Sequence, residues 1–167
     1  LPKHYDLERG TDVQVLAPMH KGPVGIDAFN AALRERRNPD GEAVPGTGFR
    51  VGDRVIQTKN DHEHELMNGE LGVIVGYDDD RDKALLACDD GRTLRLPVGD
   101  MNTLRLGHAI SIHKSQGSQM PVVVVPLFRG HHVMLTRNLV YTALTRAERA
   151  AVFVGDRKST RLNSSHT

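Results

Sequence analysis

Apolar residues occur in short runs along the chain, and their spacing changes from one region to the next. The run at 13–16 predicts a short buried strand that ends at Pro18. Apolar residues then recur at roughly helical spacing over 24–33, and the basic segment RERR lies in the last turn, where cations interact favourably with the helix dipole. The helix is predicted to end near Asn38 and Pro39. A strand followed by a helix indicates the start of an α/β domain.

The middle of the chain has a different pattern. Residues 39–48 are rich in Pro, Gly, Asp and Thr and predict a linker or a long loop. Turn pairs such as Asn68-Gly69 then separate short runs that are typical of half-buried strands, at 53–58, 71–77, 84–88 and 93–96. Strands of this length and spacing predict a small antiparallel barrel.

The α/β pattern returns after Gly107. The run at 109–112 predicts a strand, and the four consecutive valines of PVVVVPL require burial on both faces, which is typical of a central parallel strand. One-sided apolar positions predict a helix over 135–149, and the run at 151–154 predicts a last strand. The predicted fold class is therefore α/β, a parallel sheet with helices that is interrupted by a small β barrel.

These changes of pattern define four segments. We assign residues 11–45 and 105–156 to the parallel-sheet domain, and residues 46–104 to the inserted barrel. The tail at 157–167 is polar, has no period and follows a predicted strand end. We interpret this tail as disordered or as foreign sequence, and exclude it from the fold.

The charge balance limits the kinds of partner. Lys and Arg number 22 against 21 Asp and Glu, and a net charge of +1 excludes a protein that holds nucleic acid by overall charge alone. The single Cys88 excludes a scaffold of internal disulfides. No run approaches the roughly 18 apolar residues of a membrane span. We therefore expect a cytoplasmic protein with no membrane partner, in which any nucleic-acid contact is local.

The segment HKSQGS, residues 113–118, follows a predicted strand and carries groups suited to phosphate. Its hydroxyls, amide, ammonium and the backbone N–H groups near Gly117 are donors that phosphate oxygens accept from. A polar loop without a binding role explains the same composition equally well. The residues alone leave both interpretations open.

The segment YTALTRAERA, residues 141–150, places several polar groups on a predicted helix. Thr142, Thr145 and Arg146 lie within about one turn, and Arg146 and Arg149 are i,i+3 neighbours. An arginine that reaches a terminal phosphate from a neighbouring lobe stabilises the charge that develops during phosphoryl transfer. A solvated or salt-bridged surface arginine is the commoner alternative.

Together, HKSQGS and YTALTRA resemble motifs V and VI of superfamily-one helicases, and among these they are most similar to the RecD-like group. The earlier VQVLAPMHKGPVGIDAFNAALR and the middle FRVGDRVIQTKND and MNGELGVI also resemble that group, so the similarity covers roughly residues 11–156. The resemblance implies a RecA-like second motor domain interrupted by an SH3-like barrel. This agrees with the order of elements predicted from spacing.

The resemblance also implies roles for particular residues. Arg146 matches the arginine that reaches the ATP γ-phosphate and is the candidate catalytic residue, while Gly117, Gln119 and Lys21 are implied to lie near the nucleotide. Contacts with single-stranded DNA are implied for His113, Lys114, Ser115, Gln116 and Thr142. Independently of the resemblance, Lys59 and Asn60 of the barrel are candidates for contact with a DNA backbone if the barrel lines the exit path of the strand, and a charged barrel rim is the commoner alternative. Many relatives carry an acidic residue where Gln119 stands, which argues against a ribose or metal ligand here. These roles require the 113–118 loop and the Arg146 helix to lie side by side at one edge of the sheet.

The phosphate-binding motif G-x-x-x-x-G-K-[ST] does not occur in the 167 residues. We therefore expect ATP to be held mainly by an N-terminal motor lobe of the same full-length protein, together with Mg²⁺. The expected function is that of an ATP-dependent DNA helicase, of a type used in DNA repair and recombination. The fragment alone is expected to be inactive.

Two other functions stay open: a standalone module that binds single-stranded nucleic acid without motor activity, and the motor part of a conjugative relaxase-helicase. The segment DHEHE is a candidate metal site, because His62 and His64 would share one face of a strand at a spacing that a metal can use. An exposed polar turn explains that segment more simply, and we predict no metal site.

Overall fold

A computed structural model of the protein describes residues 12–18, 25–127 and 137–155, and the elements below lie in those ranges. They are β1 Val13–Ala17, α1 Ile26–Arg37, β2 Arg54–Gln57, β3 Leu71–Asp78, β4 Lys83–Cys88, β5 Thr93–Pro97, a 3₁₀ helix Val98–Thr103, β6 Leu104–Leu106, β7 Ala109–Ser111, β8 Met120–Leu127, α2 Arg137–Arg146 and β9 Ala147–Gly155. The chain divides into two compact units, one formed by the residues up to 31 and from 109 onward, the other by residues 32–108. No helix among the described residues is long and apolar enough to cross a membrane.

The first unit contains a sheet in the order β7-β1-β8-β9. All three strand pairs in it are parallel, which confirms the predicted parallel sheet. The strand with four consecutive valines, β8, lies between β1 and β9, and Val122, Val123 and Val125 have no exposed surface. A strand in this position needs apolar side chains on both faces, and the β-branched valines fit the pleated backbone.

The second unit contains an antiparallel sheet in the order β5-β4-β3-β2-β6. Four of its strands agree closely with the four predicted runs, and a short fifth strand, β6, pairs with β2. Gly69 and Gly91 have φ angles of +96°, a conformation that glycine adopts without strain in tight turns between strands. The core is aliphatic and is formed by Val44, Val55, Leu66, Ile74, Ala84, Leu86, Cys88, Leu96, Met101 and Leu104.

The second unit is wider than the predicted insert of 46–104. The carboxylate of Asp53 is fully buried and accepts hydrogen bonds from Asn38 Nδ2 at 2.8 Å and from the Arg50 backbone N–H at 2.8 Å. Arg34 Nη2 lies 3.0 Å from the same carboxylate. These contacts tie the end of α1 and the loop after it to the start of β2, so the compact unit begins before residue 46.

The predicted helix over 135–149 is too long at its C-terminal end. Helix α2 ends at Arg146, and Ala147 is already the first residue of β9. Ala147 pairs with Met120 in the parallel ladder between β8 and β9, which requires extended backbone. The prediction that Arg146 and Arg149 share a helix face is therefore wrong, because Arg149 lies in the strand.

Candidate functional site

The loop 112–118 joins two parallel strands that have β1 between them. It starts beyond the carboxyl end of β7 and ends at the amino end of β8, because parallel strands run in the same direction. Ser118 lies two residues before Met120, where β8 begins, and Met120 pairs with Ala147 at the start of β9. The end of the loop and the end of α2 therefore meet at the amino edge of β8 and β9, opposite to the carboxyl end of β7 where the loop begins.

Arg146 lies at this edge as the last residue of α2. Its Nη1 donates to the carbonyl of Ser118 at 3.5 Å, and its Nη2 donates to Thr145 Oγ1 at 3.3 Å. The structure thus brings the last residue of the loop next to the last residue of α2. Both distances exceed the usual 2.9–3.0 Å for N–H···O bonds, so the guanidinium is held weakly. Its Nε is buried and has no hydrogen-bond partner among the described residues.

Inside the loop, Ser115 has no exposed surface, and its hydroxyl donates to the Ile112 carbonyl at 2.5 Å. The Ser118 N–H donates to the Ser115 carbonyl at 3.1 Å. Gly117 has a φ of +83°, in the left-handed region that favours glycine. These features fold the loop into a compact turn.

Within the loop His113, Gln116 and Gly117 are exposed and Lys114 is half-buried, and Gln119, which directly follows the loop, is exposed as well. These side chains and the backbone at Gly117 offer the donors that the sequence indicated. Ser115 is different, because its buried hydroxyl is occupied by a backbone carbonyl. In this conformation Ser115 stabilises the loop and cannot contact a DNA strand, which corrects the expectation for this residue.

Two threonines of α2 form local hydrogen bonds. Thr142 is half-buried, and its hydroxyl donates to the carbonyl of Asn138 at 2.8 Å. Thr145 Oγ1 donates to the carbonyl of Thr142 at 2.9 Å and accepts from Arg146. The sequence placed Thr145 on the helix but gave it no role, although it directly precedes Arg146 in the motif.

In the second unit, Lys59 and Asn60 are exposed at the start of the loop between β2 and β3. Residues 59–70 carry four carboxylates and a single lysine, and the nearby Arg92 is already paired with Glu70, so the segment offers little free positive charge to a phosphate. Asn60 Oδ1 also accepts from the Asn68 N–H at 2.9 Å, which occupies the amide oxygen in a local turn. The expected DNA contact of these two residues therefore gains no support from their surroundings.

The DHEHE segment forms a turn closed by a bridge between Asp61 and Leu66. His64 Nδ1 lies 2.8 Å from Asp61 Oδ2, and this hydrogen bond is the main reason that the pKa of Asp61 is lowered. Among the described residues, no group of three His, Cys, Asp or Glu side chains converges on a possible metal position.

Lys21 and the tail at 157–167 lie outside the described residues. The roles expected for them therefore stay predictions.

Comparison with known protein families gives two matches. Residues 106–154 match the UvrD-like helicase C-terminal domain, and residues 29–87 match the SH3 domain of ATP-dependent RecD-like DNA helicases. The first match contains the 112–118 loop, Arg146 and most of the parallel sheet. The second contains most of the antiparallel sheet, which is therefore similar to an SH3 domain.

Individual proteins that are similar to this chain are also helicases or helicase subunits. The chain is 43% identical over 137 residues to the ATP-dependent RecD2 DNA helicase of Deinococcus radiodurans, covering 81% of this chain and 19% of that protein. It is 35% identical over 151 residues to the RecBCD enzyme subunit RecD of Mycolicibacterium smegmatis, covering 85% of this chain and 25% of that protein. The crystal structure of Bacteroides Pif1 bound to ssDNA has a similar fold, with a TM-score of 0.58, 17% identity, and coverage of 92% of this chain and 45% of that chain. The chain thus spans about a fifth to a quarter of these curated relatives.

Proposed function

This chain belongs to the RecD-like DNA helicases, and on that premise we propose that it forms the second motor domain of an ATP-driven helicase. In this proposal Arg146 completes an ATP site whose main part lies on an N-terminal motor lobe of the same protein. The exposed part of the 112–118 loop contacts single-stranded DNA. Hydrolysis at one side of the domain is thereby linked to movement of DNA at the other.

The position of Arg146 is the single observation that supports the proposal most strongly. The guanidinium lies at the edge of the sheet and is held by two long hydrogen bonds, at 3.3 and 3.5 Å. Such bonds are exchanged readily for shorter, charge-assisted bonds to a phosphate. An arginine brought to the γ-phosphate stabilises the negative charge that spreads over its oxygens in the transition state.

The DNA contacts are assigned to the exposed His113 and Gln116 and to the half-buried Lys114 of the loop. His113, Lys114 and Gln116 carry ring N–H, ammonium and amide groups that suit a phosphodiester backbone. Gly117 lets the backbone come close to a ligand, since a side chain is absent. Thr142 is also assigned a contact with DNA, but its hydroxyl can only accept a hydrogen bond there, because its hydrogen is already donated to the carbonyl of Asn138.

ATP and Mg²⁺ are divided between the two lobes in this proposal. Gln119 is exposed just after the end of the loop and offers a neutral amide, and Gly117 offers its backbone N–H. These groups suit phosphate oxygens, whereas magnesium prefers charged oxygen ligands and is assigned to the N-terminal lobe. Lys21 is retained as a further nucleotide contact on the resemblance alone.

The proposal is tested in the full-length protein with Arg146→Ala. We expect DNA-stimulated ATP hydrolysis to fall by about a thousandfold, in line with arginine fingers, while the affinity for single-stranded DNA stays within about threefold. Arg149→Ala is the matched control, because Arg149 is an exposed arginine three residues later in β9. Equal turnover in Arg146→Ala and the wild-type protein would overturn the motor assignment and favour the standalone nucleic-acid-binding module.

A further inference from the structure

We infer that Thr145 and Ser115 are positioning residues for Arg146, an inference that rests on the function proposed above. Thr145 orients the guanidinium directly, through its hydroxyl oxygen. Ser115 acts through the loop, by fixing the backbone that carries the carbonyl of Ser118. Together they hold Arg146 at the edge of the sheet until a phosphate replaces the two acceptors.

The hydroxyl of Thr145 has a defined direction. It donates its one hydrogen to the carbonyl of Thr142 at 2.9 Å, so its oxygen lone pairs are available to accept from Arg146 Nη2 at 3.3 Å. The acceptor is therefore fixed to the backbone of α2 and does not rotate freely. This limits the orientations of the Arg146 guanidinium before a nucleotide arrives.

The carbonyl of Ser118 is fixed by a series of hydrogen bonds that starts at the end of β7. The Ser115 N–H donates to the carbonyls of Ser111 and Ile112, both at 3.2 Å, and its hydroxyl donates to Ile112 at 2.5 Å. The Ser118 N–H donates to the Ser115 carbonyl at 3.1 Å. The position of the acceptor for Arg146 Nη1 therefore depends on the buried Ser115.

This arrangement connects the two proposed contacts of the domain. His113 and Gln116 are exposed neighbours of Ser115 in the same turn, so a DNA strand bound to them acts on the turn that carries Ser118. A shift of that turn changes the hold on Arg146, because the bond to Ser118 is already 3.5 Å long. The stimulation of hydrolysis by DNA is thus expected to depend on Ser115.

The role of Thr145 is tested by steady-state ATP hydrolysis in the full-length protein. Thr145→Val keeps the shape of the side chain and removes the acceptor, and we expect kcat to fall by roughly tenfold with KM for ATP within about twofold. Thr145→Ser restores the hydroxyl and is expected to recover most of the rate. Thr103→Val is the control, because Thr103 is another half-buried threonine whose hydroxyl bonds to Gln57 in the barrel.

The role of Ser115 is tested with Ser115→Ala, by measuring hydrolysis with and without saturating oligo-dT and taking the ratio of the two rates. We expect that ratio to fall by roughly fivefold or more, since the loop is no longer fixed by the hydroxyl. A role in folding alone would lower both rates together and leave the ratio unchanged. Thermal unfolding shows whether the Ser115→Ala variant folds. If it does not fold, the two Thr145 variants test whether Arg146 is positioned as inferred.

The outcomes separate the inference from the proposed function. Loss of hydrolysis in Arg146→Ala together with wild-type rates in Thr145→Val overturns the inference and leaves the function standing. A Thr145→Ser variant as slow as Thr145→Val also overturns it, because the hydroxyl would then not be the feature that matters. Unchanged hydrolysis in Arg146→Ala is a failure of the function itself.

Discussion

His108 shows how the environment of a single residue sets a property of the whole unit. The side chain is buried, and this burial lowers its pKa from 6.5 to about 4. Positive charge on Arg37, Arg54 and Arg34 acts in the same direction, and Asp53 acts against it. The imidazole is therefore neutral in the folded protein at pH values where an unfolded chain would already carry the proton.

The lowered pKa of His108 predicts that the folded protein loses stability on mild acidification. Between pH 6.5 and about 4 the unfolded chain binds a proton at His108 that the folded chain excludes, so the free energy of unfolding falls as the pH falls. Between pH 6.5 and pH 4.5, we expect the free energy of unfolding of the wild-type protein to fall by roughly 2 kcal/mol more than that of His108→Gln. Urea unfolding followed by circular dichroism measures this difference, and other groups that titrate in both proteins cancel.

His62→Gln is the control for that experiment, because His62 is exposed in the same unit. The free energy of unfolding of His62→Gln should change with pH as that of the wild-type protein does. Parallel curves for His108→Gln and the wild-type protein would show that His108 does not carry the pH dependence.

Candidate site residues were easiest to find in the sequence where side-chain chemistry and motif coincided. Arg146 and the exposed loop residues could be selected from the sequence, since guanidinium, amide and ammonium groups have evident partners in phosphate. The hydrogen bonds of Thr145 and Ser115 could not be predicted, because the sequence does not show which backbone carbonyl each hydroxyl contacts. That depends on the folded path of α2 and of the loop.

Among the elements, the junction between α1 and β2 depends on one buried carboxylate. Asp53 accepts from Asn38 and from the Arg50 backbone, and it pairs with Arg34 at the end of α1. A buried carboxylate is tolerated only when its oxygens are satisfied in this way. The helix end, the following loop and the first strand of the antiparallel sheet are therefore held together at Asp53.

Replacing that carboxylate is expected to destabilise the second unit. Asp53→Asn keeps the size of the side chain but leaves the mostly buried Arg34 without its counter-charge, and we expect a loss of about 3 kcal/mol in the free energy of unfolding. Asp90→Asn removes a carboxylate that pairs with Arg92 on the surface, and its effect should be much smaller. Chemical denaturation of both variants tests this, and equal losses would contradict the role given to Asp53.

The elements were predicted well where spacing was clear and less well at one boundary. The alternating runs of the barrel and the valine-rich strand were found close to their predicted positions, since burial on one face or on two leaves a distinct pattern. The end of α2 was missed because Ala147, Glu148 and Arg149 are residues that favour helices. Pairing of β9 with β8 outweighs that local preference, and sequence spacing does not reveal the pairing.

At the scale of the whole molecule, the order of sheet types was predictable but the extent of each unit was not. The change from helical to alternating spacing of the apolar residues near residue 49 predicted the antiparallel sheet. The contacts that assign residues 32–45 to the same unit are side-chain hydrogen bonds to a distant strand, and no local pattern encodes them.

The division of the ATP site between lobes gives a prediction for the chain alone. The 167-residue protein, purified by itself, is expected to hydrolyse ATP no faster than a buffer control, with or without single-stranded DNA, because it lacks the G-x-x-x-x-G-K-[ST] motif. A sensitive phosphate-release assay measures this. Robust hydrolysis that survives further purification would contradict the division.

The central claim is that Arg146 stabilises the transition state of ATP hydrolysis. ADP with aluminium fluoride mimics the phosphoryl group in transfer, so the affinity of the full-length protein for this analogue tests the claim most directly. We predict that Arg146→Ala weakens binding of this analogue by about a hundredfold or more, while the affinity for ADP alone stays within about threefold. Equal affinity of the wild-type protein and Arg146→Ala for the analogue would contradict the account.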